Sequence, residues 1–352
     1  MKTEIAIIGG GLSGLALARH LHLAGVDFHL FEARNRFGGR IKTLDTSDAR
    51  FDLGPSWFWP GQPRMAALTD TFALPVFEQY ATGDILFETG TGDVRRNIGF
   101  SSMRGSWRID GGMGRLVDAI VADLPTNRLS LGKTLVSASH DKGLAFSDST
   151  HCIAGHVVLA LPPRVAAKIA LSPALSAQQV DALQNVPTWM AGHAKFVAVY
   201  DHAFWRDAGL SGDASSQSGP LVEIHDASAA KGAPSALFGF VGVPPATRAG
   251  RAAEVVDAAL SQLARLFGPA AQNPLHTAYQ DWTTKPETAT QMDQQPLTHH
   301  PDYGLPTNLE HLWDGHLHLC ATEMASEMGG YLEGALCAAE ETAHLLLKTR
   351  VS

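Results

Sequence analysis

Residues 32–40 read EARNRFGGR, which sets one carboxylate, three guanidinium groups and a glycine pair within nine residues. Just upstream, in IAIIGGGLSGLALARHLHLAG, Gly9, Gly11 and Gly14 fit the pattern G-x-G-x-x-G. Together these residues suit the binding of a dinucleotide. Gly9 permits a tight turn, Gly11 lets backbone approach a pyrophosphate, and Gly14 lets a helix lie close to a strand. A helix starting there turns free amides and its positive end toward phosphates. Glu32 stands where a carboxylate accepts hydrogen bonds from ribose hydroxyls.

The elements that must position these groups are legible around them. Glu4 to Ile8 is a continuous apolar run of strand length, as a buried parallel strand requires. Leu12 to Leu23 predicts a helix that closes at Gly25, and Val26 to Phe31 predicts a second strand ending at Glu32. The glycines alone would also suit a plain tight turn. Strand, motif, helix, strand and acid in this order make a dinucleotide site the stronger reading. Composition bounds the rest. The 352 residues are enough for one large or two ordinary domains, and 45% hydrophobic with 18% charged residues is a globular balance. A net charge of −8 lacks a basic nucleic-acid footprint, so no nucleic-acid partner is expected. No apolar run reaches the length of a membrane span, and the N-terminus lacks a secretory cleavage site, so no membrane partner is expected either. Three scattered cysteines, Cys152, Cys320 and Cys337, suggest reduced thiols and a cytoplasmic protein.

NAD and FAD both satisfy this much, and the continuation separates them. RNRFGGR over 34–40 stands where a plain NAD domain proceeds to its next helix, and FDLGPSWFWPG follows at 51–61. Here the chain resembles the flavin-containing amine oxidase family, which includes monoamine and polyamine oxidases, flavin histone demethylases and L-amino-acid oxidases. The signature residues are Glu32, Ala33, Gly38, Gly39, Arg40, Asp52, Leu53 and Gly54, with Pro55 where a second glycine is common. Four later segments follow in the family's order: RIDGGMGRLVDAI at 108–120, VVLALPP at 157–163, HAKFVAVYDHAFWRDAGLSG at 193–212, and HLHLCATEMASEMGGYLEGALCAAEETAHLLL at 316–347. The resemblance thus spans residues 4–347.

It implies an α/β fold: a discontinuous Rossmann-like FAD-binding domain from 1–57, 106–165 and 302–352, with an α+β substrate-binding domain from 58–105 and 166–301. FAD contacts are implied at Gly9, Gly11, Leu12, Ser13, Gly14, Glu32, Ala33, Arg34, Gly39, Arg40, Gly54, Pro55, Ser56, Trp57, Leu135, Pro162, Trp282, Glu323, Gly330, Tyr331, Leu332 and Ala335. Glu323 resembles the acid at the ribityl chain. Monoamine oxidases link FAD through a cysteine; Gln291 occupies that spot here and 282–300 holds no cysteine, so non-covalent FAD is expected. In AKFVAVY, Lys195 alone reads as an edge-strand lysine. The resemblance makes it the lysine that holds a water near flavin N5. Trp282 would flank the flavin, and Tyr331 would form one wall of an aromatic cage. Met292 falls near the opposite wall, leaving the cage half aromatic, with ordinary loop packing as the alternative. His316, His318 and Cys320 share a strand face but lack an obvious fourth ligand, so no metal is expected. His299 and His300 read as loop histidines.

The implied activity is oxidation of an amine C–N bond to an imine, with electrons passing to molecular oxygen and hydrogen peroxide released. Two rivals are a flavin desaturase acting on C–C bonds and a flavin-containing accessory subunit without oxidase activity. Lys195 and Tyr331 favour the amine. In the implied substrate domain, Lys195 to Tyr200, Ala236 to Val243 and Leu275 to Trp282 read as strands and Ala249 to Phe267 as a helix. SGDASSQSGP at 211–220 reads as an exposed loop. Only about fifty residues separate Trp57 from Gly111, room for at most two or three helices. An open site, or one completed in a homodimer, is expected, with Trp57, Phe58 and Trp59 near its mouth. The purified protein should be yellow and should release its flavin on acid precipitation. Colour that stays in the pellet would contradict non-covalent binding.

Overall fold

The computed structural model describes residues 1–348 apart from 48, 142, 232, 233 and 296. Residues 349–352, placed in the cofactor domain on sequence, lie outside the described residues. The apolar run after the N-terminus forms the strand Lys2–Ile8, flanked in parallel by Phe28–Phe31 and His151–Leu159. Leu129–Ser130 extends this sheet in parallel beyond Phe28–Phe31, and Leu317–Leu319 joins His151–Leu159. The strands Leu135–Ser139 and Gly143–Phe146 add an antiparallel flank, with Ala170–Ser172 beyond. The result is a Rossmann-like α/β sheet. Two long helices, Leu12–Leu23 and Leu332–Lys348, share one apolar core on it, with Leu15, Leu17, Leu21, Leu336 and Leu346 buried. Gly14 explains the closeness of strand and helix. A Cβ there would stand 2.0 Å from the Gly9 carbonyl oxygen.

A second sheet of seven strands runs in the order His276–Asp281, Ala194–Tyr200, Ser235–Val241, Leu221–Asp226, Leu210–Ser216, Asp84–Glu88, Val94–Arg96. The helix Ala252–Phe267 covers one face through Val255, Ala259, Leu263 and Phe267. These residues recur at every fourth position and so share one face of the helix; on sequence the helix reads as Ala249 to Phe267, and it begins at Ala252.

Two expectations are corrected, one for the run 211–220 and one for Phe58. Residues 211–216 of the run 211–220 are not an exposed loop, since Leu210–Ser216 is a largely buried strand; only 217–220 lie outside strands. Its polar side chains find partners on neighbouring strands: Ser211 donates to the Asp84 carbonyl at 3.1 Å and Ser216 to Glu88 at 2.6 Å. Buried polar groups are stable when so bonded, and composition alone does not show that. The short segment before Gly111 yields one helix, Pro63–Thr71, and four short strands, two of them extending the second sheet. Phe58 is not at any mouth; it lies in the core, edge-on to Trp107 at 5.6 Å.

Replacing Gly14 by alanine should force the strand and helix apart. We expect a loss of about 1–3 kcal/mol, typical of overpacking a tight core, read as a lower midpoint in thermal unfolding. An unchanged midpoint would show that the turn relaxes freely.

Candidate functional site

A cavity of about 830 Å³ runs between the two sheets. Its lining brings together the glycine turn (Gly9, Gly11, Leu12, Ser13), the acid and its neighbours (Glu32, Ala33, Arg34), and the second glycine turn with Gly39 and Arg40. Gly54, Pro55, Ser56 and Trp57, then Leu135, Pro162, Lys195 and Trp282, and finally Gly330, Tyr331, Leu332 and Ala335 complete the set singled out on sequence. Gly14 and Glu323 do not line it. Gly14 faces the Gly9 backbone, and Glu323 is fully buried behind Arg40.

The first turn is built for an anion. Gly11 caps the helix Leu12–Leu23 with no side-chain hydrogen bond, and the first turn carries no acid. Its amides and dipole therefore face the cavity without a competing negative group. Gly38 closes the neighbouring turn by donating to the Gly10 carbonyl at 2.7 Å, at a φ of 103° that favours glycine. A Cβ at Gly39 would come within 3.0 Å of the Gly11 Cα. Arg36, unassigned on sequence, braces this second turn with bonds to the carbonyls of Phe37, Gly39 and Ile41 at 2.8–3.0 Å.

Glu32 is buried. One carboxylate oxygen accepts from the Gly10 amide at 2.7 Å and the other from the Arg34 amide at 2.9 Å. Each oxygen keeps a lone pair for a hydroxyl donor. Arg34 itself reaches away, to Glu287 at 3.0 Å and Thr288 at 2.9 Å. Arg40 forms a two-pronged ion pair with Glu323 at 2.7 and 3.2 Å, the planar fork that makes arginine–carboxylate pairs strong. These residues fit a dinucleotide: bare backbone and a helix start for the pyrophosphate, a fixed acid for the ribose.

Lys195 corrects the edge-strand reading. Its strand is paired on both sides, with Ser235–Val241 and His276–Asp281, and the residue is only 3% exposed. Its Nζ donates to Ser56 Oγ at 2.7 Å and to the Gly54 carbonyl at 3.1 Å, and sits 3.8 Å over the Phe238 ring. Burial pushes its pKa down to about 7, with Asp52 opposing and Arg108 adding to the shift. Asp52 in turn is pushed up to about 6 by burial, against the pull of Lys195 and Arg108. Trp282 is pinned by its indole N–H to the Leu53 carbonyl at 3.1 Å.

Tyr331 opens on the cavity, with Trp59 edge-on at 6.1 Å. His300, read as a loop histidine, stacks on Tyr331 at 4.8 Å. Met292 is corrected: it is 50% exposed and does not reach the cavity. The tight turn Gln291–Gln294 is fixed by Asp293, buried and paired with Arg164 at 2.7 Å, and this leaves Met292 facing outward. Trp59, placed near the mouth on sequence, is one of the walls; sequence reading missed Met103, Trp189, His193, Glu223 and Phe240, which also line the cavity. They come from scattered segments, and of them only His193 lies in a stretch that carried the resemblance, 193–212. Far from the site, His156, His316 and His318 pack ring against ring, but among the described residues no group of three or more His, Cys, Asp or Glu side chains could hold a metal ion.

Comparison with known proteins agrees with this geometry. Residues 89–347 match the model of the family described as flavin containing amine oxidoreductase, and residues 7–72 match an NAD(P)-binding Rossmann-like domain. A probable flavin-containing monoamine oxidase A from Dictyostelium discoideum is 23% identical, covering 95% of this chain and 95% of the relative. The flavin-containing amine oxidase B of Sus scrofa is 22% identical, covering 98% of this chain and 86% of the relative. Among solved structures, putrescine oxidase bound to putrescine superposes with a TM-score of 0.82 at 20% identity, covering 99% of both chains. Cyclohexylamine oxidase from Brevibacterium oxydans IH-35A gives 0.82 at 20% identity over 100% of both chains.

Glu32→Ala deletes an acceptor and strands the Gly10 and Arg34 amides. Hydrogen bonds to a charged group contribute about 1.5–3 kcal/mol, so FAD affinity should fall by about ten- to a hundredfold. Titration of the apoprotein measures this, and equal affinities would remove Glu32 from the cofactor site.

Proposed function

The chain belongs to the flavin containing amine oxidoreductase family, and from that premise we propose that it is an FAD-dependent amine oxidase that converts a C–N bond to an imine and passes the electrons to oxygen, releasing hydrogen peroxide. The observation that carries the proposal is Lys195: a desolvated lysine on the cavity wall, bonded to the turn that would border the flavin. FAD bound in this cavity supplies the oxidant for the C–N bond. The chain's own residues do the rest. Glu32 would hold the ribose, and the amides at Gly11 to Ser13 the pyrophosphate. Arg40, steadied by Glu323, adds positive charge beside it. Leu332 and Ala335 open the helix Leu332–Lys348, whose positive end faces the cavity and suits a cofactor edge that gains negative charge. Tyr331 and Trp59 would guide the amine to the reacting face. No cysteine lines the cavity, which supports non-covalent FAD. Cys152, Cys320 and Cys337 are buried and unpaired, which supports a reducing, cytoplasmic setting.

With its pKa lowered to about 7, Lys195 changes charge close to physiological pH. Above that pH it is neutral and can take up a proton through a bound water; below it, the ammonium is charged and cannot. The desaturase rival offers such a group no task, because no amine need be kept neutral. Lys195→Met keeps an apolar stem of similar length and should leave the fold intact. Rapid mixing should then show slower flavin reduction or reoxidation, and the wild-type inflection near pH 7 should vanish. If both rates and the pH profile match wild type, Lys195 serves structure alone. Peroxide release across a panel of amines tests the activity itself, and a flavin that no amine reduces would overturn it.

A further inference from the structure

Strand register places a second chemical group at a fixed distance from Lys195. In the second sheet Lys195 is paired with Phe240, and Phe240 with Glu223. Directly paired residues project on the same face of a sheet. Lys195, Phe240 and Glu223 therefore form one row, and all three line the cavity. Two interstrand spacings set the Lys195 and Glu223 backbones about 10 Å apart. One end of the row holds the desolvated lysine, the middle is an aromatic surface, and the far end is a carboxylate.

That carboxylate is held in place. Its Oε1 is 2.9 Å from His225 Nε2 and accepts from Ser102 Oγ at 2.6 Å. His225 is buried, and its other ring nitrogen is 2.9 Å from Asp213, itself buried. Burial lowers the His225 pKa, but its bonds to Asp213 and Glu223 outweigh this and raise it. The bond to His225 lowers the pKa of Glu223. With two carboxylates about one imidazole, the cluster Asp213–His225–Glu223 is acidic in sum, and the Glu223 side chain, 39% exposed, is its outlet toward the cavity. A simple anchor for His225 would not need to line the cavity, since Asp213 already bonds the ring.

We infer that Glu223 binds a second cationic group of the substrate, so that the preferred substrate is an aliphatic diamine or polyamine, oxidised at one end and anchored at the other. The inference rests on the amine oxidase reading above. Methylenes between the two nitrogens would lie along Phe240. The same negative charge disfavours amines that carry a carboxylate, which sets amino acids aside as substrates.

The test compares 1,4-diaminobutane with butylamine, and longer diamines with their monoamines, by anaerobic rapid mixing on the FAD-loaded enzyme. Each amine gives an apparent Kd from the flavin spectrum and a limiting reduction rate. In the wild type the diamine should bind about ten- to a hundredfold more tightly than the monoamine, the range of one charge-assisted bond. Glu223→Gln, which keeps an acceptor for His225 and Ser102, should collapse that ratio toward one. Glu223→Asp keeps the charge on a shorter stem and should move the preference toward longer diamines. Equal wild-type affinities, or a ratio untouched in Glu223→Gln, would overturn the anchor. The two readings fail separately. Flavin reduction by both amines without preference sinks the anchor alone. A diamine preference in binding without flavin reduction sinks the oxidase reading and leaves the anchor standing.

Discussion

A lysine cannot be buried without bonds for its ammonium, and much of the architecture follows from how Lys195 meets that demand. Its partners, Gly54 and Ser56, belong to the turn after the strand Arg50–Asp52, outside the sheet that carries the lysine. The bond therefore crosses from the second sheet to the turn beyond the two-stranded ribbon of Thr43–Asp45 and Arg50–Asp52. The same turn is gripped again by Trp282, through Leu53, and it runs so close to Arg40 that a Cβ at Gly54 would stand 2.1 Å from the Arg40 carbonyl oxygen. Three segments distant in sequence thus converge on the four residues 53–56. Asp52, buried beside them, balances the charge while its carboxylate accepts the Met113 amide at 2.9 Å.

The rest of the cavity is arranged around that junction. On the Rossmann-like side the protein offers backbone: glycines, a helix start and the amide-bonded Glu32. These suit phosphates and hydroxyls, whose shape varies little and can be met by fixed dipoles. Elsewhere it offers side chains: Phe240 and Glu223 from the second sheet, and Trp57, Trp59 and Tyr331 from the segments beside it. This division fits a constant cofactor and a variable substrate. It is also why likeness to amine oxidases can run through the whole chain at 20–23% identity and still leave the substrate open, for a shared fold carries many specificities.

The sequence by itself determined the cofactor half. Glycine spacing, an apolar strand and an acid at the next strand's end act over short distances, where backbone geometry leaves few alternatives. The first strand, the helix Leu12–Leu23 and the position of Glu32 were legible for this reason, as was the α/β class. Tertiary structure decided the other half. From its strand alone Lys195 read as an edge residue, and only the family resemblance pointed to the site; pairing on both sides placed it inside, because neighbouring strands are not written in a strand's own residues. The serine-rich run at 211–216 read as a loop because its partners, Asp84, Glu88 and His225, come from other strands. Met292 was misplaced by counting along a loop whose turn is set by the remote Arg164. Glu223 carried no motif at all, and only the cross-strand register aligned it with Phe240 and Lys195. Local motifs determine what backbone can hold, whereas a pocket wall is made of side chains from distant segments, and only the fold decides which of them meet.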